Sequence, residues 1–202
     1  MNINFAENTE GFLIPFENER SLVAQDPWSQ AREWCREILV IDKECIVVGL
    51  GAGFHLAEMI QQKRLSKVYV VDSRPGLVNI FRSQFPELAD IVQIILVEDS
   101  QSLLQHEIME EVIEKSLSVF AFTPCWPEND TVFRSFHRHL CGRSAESLEL
   151  FFKSRGLKKD IQIRDETGKR YLTIKDLEIL IQEEVPAYLR LNCFRILKEL
   201  IL

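Results

Sequence analysis

From Cys45 onward the chain alternates short apolar runs with amphipathic stretches. The apolar runs are Cys45 to Val48, Val68 to Val71, Ile91 to Val97 and Leu117 to Phe122, and between them lie Phe54 to Lys63, Gly76 to Gln84 and Ser102 to Lys115. A short apolar run without polar alternation predicts a strand buried on both faces, and the amphipathic stretches have the period of crossover helices. Strand and helix taking turns in this way predict an α/β fold with a doubly wound, mostly parallel sheet.

The flanks read differently. Residues 1 to 25 show no sustained period and are expected to be irregular or weakly extended, with Phe12, Leu13, Ile14 and Phe16 as apolar anchors around Pro15. Asp26-Pro27 then predicts a helix start, because the aspartate caps free amides and proline suits the first helical position. Its apolar side runs through Trp28, Ala31, Trp34, Cys35, Ile38 and Leu39. A helix or broken pair of helices is expected over Asn129 to Arg155, with the break at Gly142. Ile161 to Arg164 and Arg170 to Ile174 alternate around a turn-like Asp165 to Lys169, which predicts a C-terminal β-hairpin. Helices over Lys175 to Glu184 and from Ala187 to the end follow. The last carries more apolar residues than a free surface helix exposes, so it serves either the core, the commoner fate, or a homodimer face. The expected organisation is one domain: an N-terminal segment and helix (1–44), a ligand-binding core (45–157), and a C-terminal hairpin with helices completing it (158–202).

Composition narrows the function classes. A net charge of -7 without a basic stretch disfavours nucleic acid as a partner. No apolar run approaches the length of a membrane span, and the polar, acidic start does not resemble a secretory signal, so a cytoplasmic location is expected. Five cysteines, odd in number and without paired metal-ligand spacing, predict free thiols and no metal site. His137 and His139 are two residues apart, a poor chelating spacing on a helix.

The densest chemical signal is Gly49-x-Gly51-x-Gly53 after the first apolar run, followed by Asp72 at the end of the second. Glycines permit a sharp turn and close approach of backbone to a ligand, the helix start offers unpaired amides, and a carboxylate about 20 residues on can accept ribose hydroxyls. The expected ligand is a small nucleoside-type molecule. A dinucleotide site wants its third glycine one position later, where this chain has Phe54, so NAD is disfavoured. Asp99, after the third run, is a further binding candidate, although it also suits a helix cap. Thr123, Pro124 and Trp126, after the fourth run, form a candidate substrate loop, or simply a rigid proline turn. His55 and Cys125 lie near the same place. His55 suits solvent exposure or local packing better than ligand contact, and no base is visibly paired with Cys125.

The glycine spacing resembles the first motif of S-adenosylmethionine-dependent methyltransferases, and Phe122-Thr123-Pro124-Cys125-Trp126 distantly resembles the proline loop of amino-group methyltransferases. That likeness implies a Rossmann-like methyltransferase sheet, S-adenosylmethionine as cofactor, and Gly49, Gly51, Gly53, Asp72 and Asp99 as its binding residues. Val47 departs from the pattern, since many such enzymes carry an acid there. A longer stretch, from Ser21-Leu22-Val23-Ala24-Gln25-Asp26-Pro27-Trp28 through GLGAGFHL and VYVVDSRPGLVNIFR, is similar to the N-terminal domain of the motility-associated factor family of flagellin glycosyltransferases. In that family sugar transfer is attributed to another domain, so no catalytic residue carries over. Three functions stay open: a methyltransferase with an unknown acceptor, a non-catalytic binding or scaffold module, and a sugar-nucleotide binder that uses the same glycine turn but lacks a visible basic partner for a diphosphate.

Overall fold

The computed structural model describes residues 3–127, 130–157 and 171–201. The chain divides into two compact units, Met1–Asp99 with Leu117–Phe133, and Ser100–Ser116 with Arg134–Leu202.

The first unit holds two sheets. An N-terminal antiparallel sheet comprises β1 (Ile3–Glu7), β2 (Leu13–Glu17) and β3 (Arg20–Ser21), in that order. It gives regular pairing to a segment expected to be irregular or weakly extended. Pro15 in the middle strand masks the pattern because it lacks an amide donor, yet its carbonyl still accepts from the Leu22 amide at 2.9 Å. The helix α1 (Pro27–Glu37) follows, with Asp26 accepting from the Ser29 amide at 2.9 Å, and packs against α2 (Phe54–Lys63).

The main sheet contains β4 (Glu44–Val48), β5 (Lys67–Asp72), β6 (Val92–Leu96) and β7 (Ser118–Ala121), all parallel, in the order β6-β5-β4-β7. Cys45 to Val48 and Val68, Val70 and Val71 have no exposed surface, as apolar runs in a parallel sheet require. The chain moves outward from β4 through β5 to β6, then returns to β7 on the other side of β4. The strand order therefore reverses between β4 and β7, and in open α/β sheets the carboxyl ends at such a reversal frame the ligand crevice. α3 (Gly76–Gln84) follows β5 over the residues its periodicity predicts. This α/β core with a four-stranded parallel sheet is compatible with a Rossmann-like domain.

An aromatic joint ties the N-terminal segment to the first unit's core. Phe54 at the start of α2 meets Phe12, Trp28 and Phe85 edge to face, with ring centroids 5.0, 5.0 and 5.4 Å away. The side-chain carbonyl of Gln84 on α3 also accepts from the Leu13 amide.

The second unit is helical among the described residues. The predicted Ser102 to Lys115 helix is two shorter ones, α4 (Ser100–Leu104) and α5 (Ile108–Lys115). His106 lies between them and its Nδ1 accepts from the Ile108 amide at 3.1 Å. α6 (Thr131–Leu140) and α7 (Ala145–Ser154) are separated at Gly142, as expected, where φ is +66°. Ser144 and Ser147 form a reciprocal cap on α7, and Thr173 with Asp176 does the same for α8 (Ile174–Glu184). α9 (Ala187–Ile201) completes the unit. Leu148, Phe152, Leu177, Ile181, Cys193 and Leu197 belong to one buried cluster, so α9 turns part of its stripe inward while Tyr188 and Leu191 remain exposed. Most of the expected hairpin lies outside the described residues; Tyr171 to Thr173 are not strand, and Ile174 already opens α8.

Replacing Phe54 with alanine removes the centre of the aromatic joint. The expected cost is about 3–5 kcal/mol, read as a lowered urea midpoint at unchanged slope.

Candidate functional site

Two turns meet at the strand-order reversal. β4 runs into Gly49 to Gly53, and β7 runs into a single 3-10 turn at Thr123–Cys125. They are tied directly to each other: the Trp126 indole donates to the Val48 carbonyl at 3.0 Å, as does the Phe122 amide. Gly49 has a φ of +111°, and a Cβ on it would lie 2.6 Å from Cys125 Sγ and 3.2 Å from the Phe122 carbonyl oxygen. The chain's own β7 turn thus demands glycine here, with no ligand needed to explain it. Gly51 meets the same turn, a Cβ there lying 3.3 Å from Cys125 Cβ, and Gly53 backs onto the Phe81 ring.

Asp72 ends β5 where the pattern places it, but its carboxylate is already engaged. Oδ2 accepts from the Leu50 amide at 2.7 Å and from Arg74 NH2 at 2.8 Å, while Oδ1 accepts from Arg74 Nε at 2.8 Å and the Arg74 amide at 2.9 Å. This is a two-pronged guanidinium–carboxylate pair with no exposed surface on Asp72 and 2% on Arg74. The other prong of Arg74, NH1, donates to the Cys125 carbonyl at 2.8 Å and lies 3.7 Å from Glu17 Oε2. The guanidinium carbon sits 4.6 Å from the centre of the Phe133 ring. Burial opposes the charge on Arg74, but the hydrogen bonds and charge of Asp72 outweigh it and hold the guanidinium above its ordinary pKa.

The neighbouring reactive groups are quenched. Cys125 is fully buried and its thiol donates to the Phe122 carbonyl at 3.2 Å. Burial pushes its pKa up to about 12, against the pull of Arg74, so it is a poor nucleophile. His55 stacks on Phe122 with ring centroids 3.7 Å apart, and its Nε2 donates to the Gly49 carbonyl at 3.1 Å. Burial lowers His55 to about 3, keeping it neutral. Its role is packing, not the solvent exposure that its sequence context equally allowed.

The other candidates are scattered around this centre. Thr123 is exposed on the 3-10 turn, and the carbonyls of Pro124 and Trp126 accept from the Arg20 guanidinium of β3. Trp126 itself is buried, its indole committed to Val48. Asp99 is exposed in the bend after β6. A cleft of about 310 Å³ opens at the end of β5, lined by Ile3, Ser73, Arg74, Pro75 and Gly76, and includes none of the three turn glycines. Glu17 and Arg74, the residues that fill the centre, were not singled out from sequence as site residues. The available signal was an arginine two positions after the strand-ending aspartate.

S-adenosylmethionine does not fit these residues as they stand. Both oxygens of the carboxylate that would meet a ribose are taken by Arg74 and Leu50, and the turn that would lie under the ligand packs on Cys125 and Trp126 instead. No protein-family model, curated protein or solved structure matches this chain.

Arg74→Met leaves two buried carboxylates without their cation and should cost about 3–5 kcal/mol in chemical denaturation, with Asp72→Asn in the same chain restoring part of it. A loss below about 1 kcal/mol would mean that the pair is solvated. For His55 the sign is set by a folded pKa below the unfolded one. Above pH 6.5 the imidazole is neutral in both states and contributes no pH dependence. As pH falls towards 3 only the unfolded chain takes up the proton, and stability drops. Between pH 6.5 and 4 the wild type should lose on the order of 3 kcal/mol more than His55→Gln, measured by urea unfolding across that range.

Proposed function

We propose that this chain is a non-catalytic binding or scaffold module of Rossmann-like build, in which the nucleoside crevice has been taken over by the protein's own Arg74 and β7 turn. The observation that carries this is the closed coordination of Asp72: four donors from the chain occupy both oxygens of a fully buried carboxylate. A ribose would have to displace a charged, two-pronged partner without offering a charge in return, and removing one partner of a buried pair is strongly unfavourable. The order β6-β5-β4-β7 and the glycine turn support a Rossmann-like origin. Val47, apolar and fully buried where many methyltransferases carry an acid, supports loss of the cofactor's amino-acid grip. The resemblance to the N-terminal domain of flagellin glycosyltransferases agrees with an accessory role beside an activity housed elsewhere.

The methyltransferase function uses the same turn and makes the opposite prediction for one measurement. Isothermal titration of the intact chain with S-adenosylmethionine and with S-adenosylhomocysteine should give no saturable heat up to millimolar ligand. A micromolar dissociation constant for either would overturn the scaffold proposal in favour of methyl transfer.

A further inference from the structure

Among the described residues, the second unit contains a buried cation that no side chain neutralises. Arg138 on α6 is 6% exposed, its Nε has no hydrogen-bond partner, and NH2 has one long contact, to Ser135 Oγ at 3.4 Å. Among the described residues no carboxylate pairs with it. This contrasts with Arg74, whose three nitrogens are all engaged. A guanidinium with an unused edge and no counter-ion is costly to bury, so burial of this kind calls for an anion.

The groups beside Arg138 supply the rest of an oxyanion site. Ser135 Oγ accepts from Ser100 Oγ at 2.6 Å and lies 3.1 Å from His139 Nε2. His139 Nδ1 lies 2.7 Å from Ser144 Oγ, which lies 2.8 Å from Ser147 Oγ. Ser147 Oγ in turn donates to the Ser144 carbonyl at 3.1 Å. With the proton of neutral His139 on Nε2, that nitrogen donates to Ser135 and Nδ1 accepts from Ser144, which leaves the Ser135 hydroxyl proton free for an anion. The nearest acid, Glu146, is 4.0 Å from Nδ1 on the far side of the imidazole from Ser135. Ser100 and Ser135 are half-buried while Arg138 and His139 are buried.

We propose that Arg138, Ser135 and Ser100 form a binding site for a phosphate-type oxyanion, with His139 setting the direction of the hydroxyls. The guanidinium supplies charge and a planar edge that matches two oxygens of a tetrahedral anion. Two hydroxyls that reorient at little cost supply donors to the remaining oxygens, which a chloride ion would not use. Burial, ahead of the opposing pull of Glu146 and the added repulsion of Arg138, lowers His139 to about 4. An anion on Arg138 cancels that repulsion, which gives the site a readout of its own.

The test is titration of the intact chain with inorganic phosphate at pH 7 and constant ionic strength, with chloride as control and a methyl phosphate monoester as a second arm. Binding is read by phosphorus NMR, and the His139 imidazole by nitrogen-15 NMR. The expected result is saturable phosphate binding, an upward shift of the His139 pKa on saturation, and no equivalent response to chloride. Ser135→Ala should weaken binding about fivefold and Arg138→Gln by about tenfold or more. Saturation by the monoester as well would assign the site to the phosphoryl group of a larger molecule; saturation by phosphate alone would assign it to the free ion. If Arg138→Gln fails to fold, Ser135→Ala and the wild-type His139 shift decide. Equal responses to phosphate and chloride, or undiminished binding in Ser135→Ala with a stationary His139, would overturn the proposal.

Discussion

The buried pair of Arg74 and Asp72 is the constraint on which the first unit depends. Burying either charge alone is prohibitive, and burying both is tolerable only when the remaining donors and acceptors are satisfied. The structure meets that condition by drawing partners from separate parts of the chain: the Leu50 amide after β4, the Cys125 carbonyl after β7, Glu17 from β2 and the Phe133 ring from the start of α6. The ion pair thereby links the carboxyl ends of three neighbouring strands, Asp72 reaching the end of β4 and Arg74 the end of β7. It also gives the N-terminal sheet a polar anchor inside the molecule, beside the apolar one at Phe12 and Phe54.

With that pair in place, the glycine turn takes on a different meaning. Gly49 needs its positive φ and its missing Cβ because Cys125 and the Phe122 carbonyl press against it. Those contacts exist because the β7 turn folds inward, held by the Trp126 indole on Val48 and by Arg74 on the Cys125 carbonyl. A glycine turn of this kind can approach a ligand, and here it approaches its own chain. Neutral His55, stacked on Phe122 and bonded to the Gly49 carbonyl, completes the packing.

Much of the scaffold was legible because it rests on local periodicity. The four apolar runs became β4 to β7 within a residue or a few at each end, α2 and α3 begin and end where their stretches do, and Gly142 breaks the α6–α7 pair. The N-terminal sheet was not legible, since Pro15 hides the middle strand and β3 is only two residues long. The split between α4 and α5 was missed because the apolar period continues through it while His106 turns to cap the Ile108 amide. At the site, sequence located Asp72 and the glycines but not their partners. Glu17 lies 57 positions from Arg74 along the chain and Cys125 lies 51 away, and no local pattern encodes such a meeting.

The residue that discriminates an open crevice from a filled one is therefore not in the glycine motif. A glycine turn and a strand-ending carboxylate are common to both cases, because a ribose hydroxyl and a guanidinium both donate to the same oxygens. What differs is charge. Placed two residues beyond the carboxylate, across the turn at Ser73, an arginine brings its own amide, Nε and NH2 back to that carboxylate without a long loop to order. A neutral hydroxyl neither neutralises Asp72 nor provides an alternative partner for the guanidinium. Asp72-Ser73-Arg74 accordingly says more about what fills the end of β5 than Gly49-Leu50-Gly51-Ala52-Gly53, although the glycines are the easier pattern to see.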